Sequence, residues 1–335
     1  MAFTLPDHWV WDFWLADDGE RFHLYYLHAP TSLGDPDLRH RHARFGHATS
    51  PDLVTWLDHG PIFAPGAAGE FDETATWTGS VVRGDDGLWR MFYTGAVFPD
   101  PASNGNVETV GVATSVDLYS WTRQPGPIAA ADPRWYETLG SSAWPEEAWR
   151  DPWVYRDPGG AGWRMLVTAR ADHGDIDDRG VIGHATSTDL LHWEVLPPLS
   201  APGAGFAHLE VPQVVEIDGH TLLLFSCDTA KLAARRVAAG QRGGIWVAEA
   251  PGAETDSGPA AFDIAGATLL ADERLYSGRV IRDRTGRWVM LAFYNDAGGE
   301  FVGSVSDPRP LSWDERTGSL RFDDVHDRET LGATP

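Results

Sequence analysis

Short apolar runs separated by glycine- and aspartate-rich turns fill the chain, and no long stretch carries apolar residues at the 3.6-residue period of an amphipathic helix. One pattern returns along it. Gly46–Trp56 reads GHATSPDLVTW, Gly111–Trp121 reads GVATSVDLYSW and Gly183–Trp193 reads GHATSTDLLHW, with weaker copies from Gly244 (GIWVAEAP) and Gly303 (GSVSDPRPLSW). A strongly apolar run precedes each copy: ERFHLYYLHA (20–29), LWRMFYTGA (88–96), GWRMLVTAR (162–170), HTLLLFSCD (220–228) and RWVMLAFYN (287–295). Ahead of these lies a third run: WVWDFWLA, TWTGSVV, WRDPWVYR, LEVPQVVEI and LYSGRVIRD. Trailing segments such as TWLDHGPIF and HWEVLPPLS supply a fourth. Four short antiparallel strands repeated five times predict an all-β chain folded as a single five-bladed β-propeller. The expected blades are 9–63, 76–128, 148–199, 208–270 and 274–323. Each takes its strands from contiguous sequence, so closure by an N-terminal strand is not required. The segment KLAARRVAAG (231–240) interrupts blade four and is expected as a loop insertion with a turn or two of helix.

Composition narrows the function. The 16 Trp in 335 residues are an unusual count; most are expected in the core, and several at a carbohydrate site, since a flat indole face packs well against sugar C–H surfaces. A net charge of −23 repels phosphate backbones and excludes nucleic acid as a partner. The single cysteine, Cys227, excludes internal disulfides and cysteine-based metal clusters, and its apolar surroundings mark it as a buried thiol. No run approaches the ~18 apolar residues of a membrane helix. The N-terminus lacks a basic stretch followed by an apolar one, so a cytoplasmic location is expected. No nucleotide or flavin motif appears, and no cofactor is expected. His40, His42 and His47 lie close together, but RHRHARFGH reads as a charged loop leading into a strand, and no metal is assigned.

In a propeller the first strand of each blade lines the central channel, so residues on those strands converge although they are distant in sequence. The expected first strands carry Asp12, the Trp77–Ser80 segment, Asp151, Glu210 and the Ser277–Arg279 segment. Three carboxylates from blades one, three and four therefore meet in one funnel. Asp12 in VWDFW and Glu210 in HLEVPQ have apolar neighbours, where an ionised carboxylate without partners is costly. Packing alone does not place charges there. Structural readings exist for each: a turn cap for Asp12, an Arg–Asp pair for Asp151, an edge residue for Glu210. Paired carboxylates flanking a bond carry out glycoside hydrolysis, one as an ionised nucleophile and one as an acid with a raised pKa. A third can stabilise the oxocarbenium-like transition state.

These residues resemble a known clan. Val10-Trp11-Asp12-Phe13-Trp14 is similar to the nucleophile motif of levansucrases, and Trp77-Thr78-Gly79-Ser80 resembles the clan's W-S-G-S segment. Phe92-Tyr93-Thr94-Gly95 matches a common second-blade motif. Arg150-Asp151-Pro152 is the clan's R-D-P triplet, and Glu210-Val211-Pro212 corresponds to its E-C-P or E-R-P acid/base motif. Order and spacing agree across essentially the whole chain with glycoside hydrolase families 32 and 68, the invertases, levanases and levansucrases. The resemblance implies a nucleophile at Asp12, a transition-state stabiliser at Asp151 and a general acid/base at Glu210. It implies that Arg150 helps to hold Asp151 and the sugar, and that Trp11, Trp77 and Ser80 line the fructosyl subsite. The implied reaction is retaining transfer of a β-D-fructofuranosyl unit to water through a covalent fructosyl–enzyme intermediate, on sucrose or fructooligosaccharides.

The chain departs from family 32 where Trp11, Phe13 and Trp14 replace the Asn, Pro and Asn of W-M-N-D-P-N-G, and it is expected to lack the C-terminal β-sandwich. Three other readings stay open. A levansucrase-like fructosyltransferase uses the same residues. A family 43 arabinofuranosidase or xylosidase shares the five-bladed fold with inverting chemistry, though the R-D-P and W-T-G-S segments favour the fructosidase side. A carbohydrate-binding propeller predicts loss of one of the three carboxylates, and none is missing. Linkage preference is expected to lie in loops 99–107, 134–147 and 229–243.

Overall fold

The computed structural model describes residues 2–100, 102–160, 162–250 and 262–323. They form five sheets, antiparallel except for one short pair in the second, arranged as a five-bladed β-propeller with one sheet for each copy of the sequence pattern. The innermost strands are His8–Asp17, Ala75–Arg83, Trp149–Arg156, Glu210–Ile217 and Leu275–Arg282. Each packs against the innermost strands of the two adjacent blades, and the fifth returns to the first. The core is divided accordingly into five apolar clusters, each lying between neighbouring blades. One joins Phe13 and Phe22 of blade one to Val289 and Leu291 of blade five.

Side-chain bonds repeat this closure near the axis. Val154 N donates to Ser80 Oγ at 3.0 Å, linking blades two and three. Gln213 Nε2 donates to Val280 O at 2.7 Å, and Val280 N donates back to Gln213 Oε1 at 2.8 Å, linking blades four and five. At the outer edge, a single backbone bridge from Phe3 to Val305 adds the N-terminal segment to blade five.

The strongest copies of the sequence repeat are turns. In blade two the Ser115 hydroxyl donates to Asp117 Oδ1 at 3.0 Å, and that oxygen accepts Tyr119 N and Ser120 N at 2.9 and 2.8 Å. Asp52 and Asp189 do the same in blades one and three. The leucine after each aspartate, Leu53, Leu118 or Leu190, takes a φ of 65–67° and is buried. The aspartate satisfies backbone donors that the ladder cannot reach, while the leucine plugs the turn into the core.

Blades two and five depart from four plain strands. The edge of Asn106–Ser115 pairs in succession with Thr122–Arg123, Ala129–Ala130 and, in parallel, Glu146–Glu147. The chain between the last two makes an excursion and returns at the end of the strand. In blade five the third position is shared by Phe301–Val305 and Arg309–Asp314, both pairing with Trp288–Asp296. The break falls at Pro308, which has no N–H for the ladder. The 231–240 segment holds one short helix, Ala234–Ala238, in the loop inserted in blade four.

Candidate active site

In every blade the innermost strand slips by one residue against its neighbour. The slips fall between Val10 and Phe13, Trp77 and Gly79, Arg150 and Trp153, Glu210 and Gln213, and Tyr276 and Arg279. A bulge re-aims side chains that the strand pleat would otherwise send into the sheet interface. Gly79 allows the one in blade two: an added Cβ would meet Phe92 O at 2.0 Å. Asp151, Val211 and Ser277 sit in the bulges with φ of 60°, 53° and 52°, a region costly for a β-branched residue such as valine. Each is fixed by a donation from its backbone N–H to the preceding blade: Asp151 N to Thr94 Oγ1 at 2.9 Å, Val211 N to Asp151 Oδ2 at 3.1 Å and Ser277 N to Ser226 Oγ at 2.9 Å.

The bulges open onto a cavity of about 720 Å³ lined by Asp12, Asp151 and Glu210 together. Half-buried Asp12 accepts the Thr78 hydroxyl on Oδ2 at 2.6 Å and the Ser277 hydroxyl on Oδ1 at 2.5 Å, so blades two and five both grip it. Buried Asp151 accepts the Thr168 hydroxyl on Oδ2 at 2.8 Å. Half-buried Glu210 is held by Arg150 Nη2 on Oε1 and by the Tyr276 hydroxyl on Oε2. A separate cleft of about 480 Å³ beside Glu70, Phe71 and Arg123 contains none of these groups.

The other expected site residues divide. Trp11 and Trp77 line the cavity, and Trp77 Nε1 donates to His40 O at 2.7 Å, tying it to the 3-10 helix Pro36–His42 at the rim. Ser80 does not line it: its buried hydroxyl accepts Val154 N, so it fastens blades rather than facing a sugar. The bulge at Thr78 explains the correction, because it turns Thr78 toward Asp12 and leaves Ser80 in the blade interface. Arg150 lines the cavity but is shared. Its Nη1 donates to Glu108 Oε2 at 3.1 Å and Glu146 Oε2 at 2.9 Å, whereas its Nε is 3.7 Å from Asp151. Glu108, Glu146, His208, Asp228 and Tyr276 also reach the wall without having been singled out in the sequence. Tyr276 could have been found: it occupies the last paired position before the bulge, as Trp77, Arg150 and Glu210 do.

Burial dominates the electrostatics. It raises the pKa of Asp12, against the hydrogen bonds from Ser277 and Thr78; Glu210 raises it further and Arg39 opposes. Burial pushes Asp151 to about 6, with Arg150 pulling down and Asp12 and Glu210 pushing up. Glu108 rises to about 8 and Asp228 to about 7, again chiefly by burial. Crowded carboxyl groups cannot all ionise, so the site retains protons at neutral pH.

Residues 14–321 match the family model for the glycosyl hydrolases family 32 N-terminal domain. The chain belongs to glycosyl hydrolase family 32. The match begins two residues beyond Asp12, so the place of that carboxylate rests on the geometry above. The Escherichia coli raffinose invertase is 27% identical over 212 residues, 62% of this chain and 38% of that protein. The E. coli sucrose-6-phosphate hydrolase is 30% identical over 206 residues, 60% of this chain and 41% of that protein. The chain thus matches about two fifths of the length of each. In fold it is similar to the inulosucrase from Halalkalicoccus jeotgali bound to kestose (TM-score 0.77, 23% identity, 95% of this chain and 87% of that one). It is also similar to the Bombyx mori beta-fructofuranosidase (TM-score 0.72, 19% identity, 96% and 64%).

Proposed function

We propose that the protein is a retaining β-fructofuranosidase that cleaves sucrose or fructooligosaccharides. The observation that carries this reading is the convergence of Asp12, Asp151 and Glu210 on one cavity of a family 32 propeller. Asp12 is the nucleophile: the Thr78 and Ser277 hydroxyls orient both of its oxygens and stabilise the anion. Glu210 is the acid that protonates the departing oxygen and then the base that activates water. Its carboxyl is held at both oxygens, by Arg150 and Tyr276, at the start of its strand. Asp151, beside the developing oxocarbenium ion, stabilises positive charge in a poorly solvated wall. Trp11 and Trp77 offer aromatic faces to the sugar.

An assay of sucrose, inulin-type and levan-type oligosaccharides and nitrophenyl α-L-arabinofuranoside, with products separated by chromatography, tests the reading. Release of fructose from one or more of the fructosides is expected. Oligofructan growth in place of free fructose would make the protein a transferase, and cleavage of the arabinofuranoside alone would overturn the assignment.

A further inference from the structure

Glu146 stands outside the three-carboxylate arrangement yet lines the same cavity. The chain excursion in blade two delivers it, since Glu146–Glu147 returns to pair in parallel with Asn106 and Val107. Four residues on, Arg150 donates from Nη1 to Glu146 Oε2 at 2.9 Å and from Nη2 to Glu210 Oε1. A guanidinium is a rigid planar fork, so carboxylates held by its two terminal nitrogens stand side by side. Both therefore face the cavity from one shared cation.

Glu146 has an oxygen to spare. Its Oε1 makes no hydrogen bond among the described residues, and His208 Nε2 lies 3.8 Å away, beyond hydrogen-bond range. Arg150 Nη2 donates to His208 Nδ1 at 3.3 Å, so the neutral imidazole must carry its proton on Nε2, which is buried without a partner. Burial, with Arg150 and Arg170 nearby, keeps this ring neutral. An unfilled acceptor and an unfilled donor therefore stand close together beside the acid.

We propose that Glu146 Oε1 accepts a hydrogen bond from the hydroxyl vicinal to the departing oxygen on the leaving-group sugar. This rests on the reading of Glu210 as the acid. When Glu210 protonates the glycosidic oxygen, the neighbouring oxygen of the same ring falls opposite Glu146, and Arg150 fixes the two carboxylates in one register. A hydrogen bond to an ionised carboxylate is about twice as strong as a neutral one. The pocket therefore favours a sugar leaving group over a simple alcohol.

The test is the ratio of kcat/KM for sucrose to that for methyl β-D-fructofuranoside, whose leaving methanol has no second hydroxyl. Any change in Glu210 acidity transmitted through Arg150 acts on both substrates and largely cancels in the ratio. The ratio is expected to fall by about 10- to 100-fold in Glu146→Ala, the loss of one charge-assisted hydrogen bond. Glu146→Gln, which keeps a neutral acceptor, should recover part of it. An unchanged ratio in folded Glu146→Ala, including equal losses on both substrates, overturns the proposal. If the alanine variant does not fold, the glutamine variant decides: a several-fold fall supports the proposal, and an unchanged ratio overturns it. A wild-type protein that cleaves neither fructoside removes the reading of the site itself.

Discussion

At the residue scale, Asp151 combines three costs: full burial, a left-handed backbone and three neighbouring carboxylates around one arginine. Its pKa of about 6 lies above the unfolded value of about 3.9. For a carboxyl group raised on folding, the associated stability is present below the unfolded pKa and is lost as pH rises through the folded one. Wild-type melting temperature should therefore fall between pH 5 and pH 8, with Asp228 and Glu108, at about 7 and 8, adding to the slope. Asp151→Asn keeps the shape and tolerates the same φ. It should be more stable than wild type at pH 8 by on the order of 2 kcal/mol, with kcat lower by a hundredfold or more; melts at pH 5 and 8 beside an activity assay read both. In the proposed mechanism Asp12 and Asp151 act as anions, so catalysis runs with the opposite sign. The acid limb of the kcat/KM profile should fall near pH 6, well above an ordinary carboxylate, and a limb near 4 would contradict this electrostatic account. The sequence placed both aspartates on the channel but not the extent of these shifts, because the burial that raises both comes from strands of several blades closing around them, against the hydroxyls of Thr78 and Ser277 and the Arg150 guanidinium that pull the other way.

At the scale of elements, the legible parts were those with local chemistry. The Ser-x-Asp-Leu turn is a self-contained device whose aspartate caps its own backbone, so its repetition announced the blades. In blades four and five the copies are weak, and blade five accordingly splits its third position at Pro308. The bulges were not legible. They depend on register between strands, and for that reason Ser80 was expected at the cavity, whereas it is Thr78 that the bulge turns to Asp12. Glu146 was hidden likewise in a two-residue strand after a long excursion. The turn leucines give a direct test of this scale: Leu118→Ala removes a fully packed plug and should cost about 2–5 kcal/mol in urea unfolding, while a cost below about 0.5 kcal/mol would show that the turn does not anchor the blade.

For the whole molecule, closure of five sheets into a ring brings together residues as distant as Asp12 and Ser277, a contact no local pattern reveals. The net charge of −23 is echoed inside the cavity, where Asp12, Asp35, Asp37, Glu108, Glu146, Asp151, Glu210 and Asp228 outnumber Arg39, Arg41, Arg150 and Lys231. The cations are engaged: Arg150 by its glutamates, Arg39 and Arg41 over Phe301 and Phe98, Lys231 over Trp144. A phosphomonoester would enter against this field. Sucrose should exceed sucrose 6-phosphate in kcat/KM by at least tenfold at low salt, with the gap narrowing as salt screens the repulsion. Equal or preferred use of the phosphate would show that the rim cations are free to bind it.

In the proposed mechanism Asp12 attacks the fructosyl carbon while Glu210 serves as acid and base. Glu210→Ala should remain folded, with steady-state turnover reduced by several orders of magnitude. Incubated with nitrophenyl β-D-fructofuranoside, whose leaving group needs little protonation, and then quenched in acid, it should yield a digest in which the Asp12 peptide gains the mass of one hexosyl unit. The same mass on a different carboxylate, or release of nitrophenol at full rate with no labelled peptide, would contradict the account.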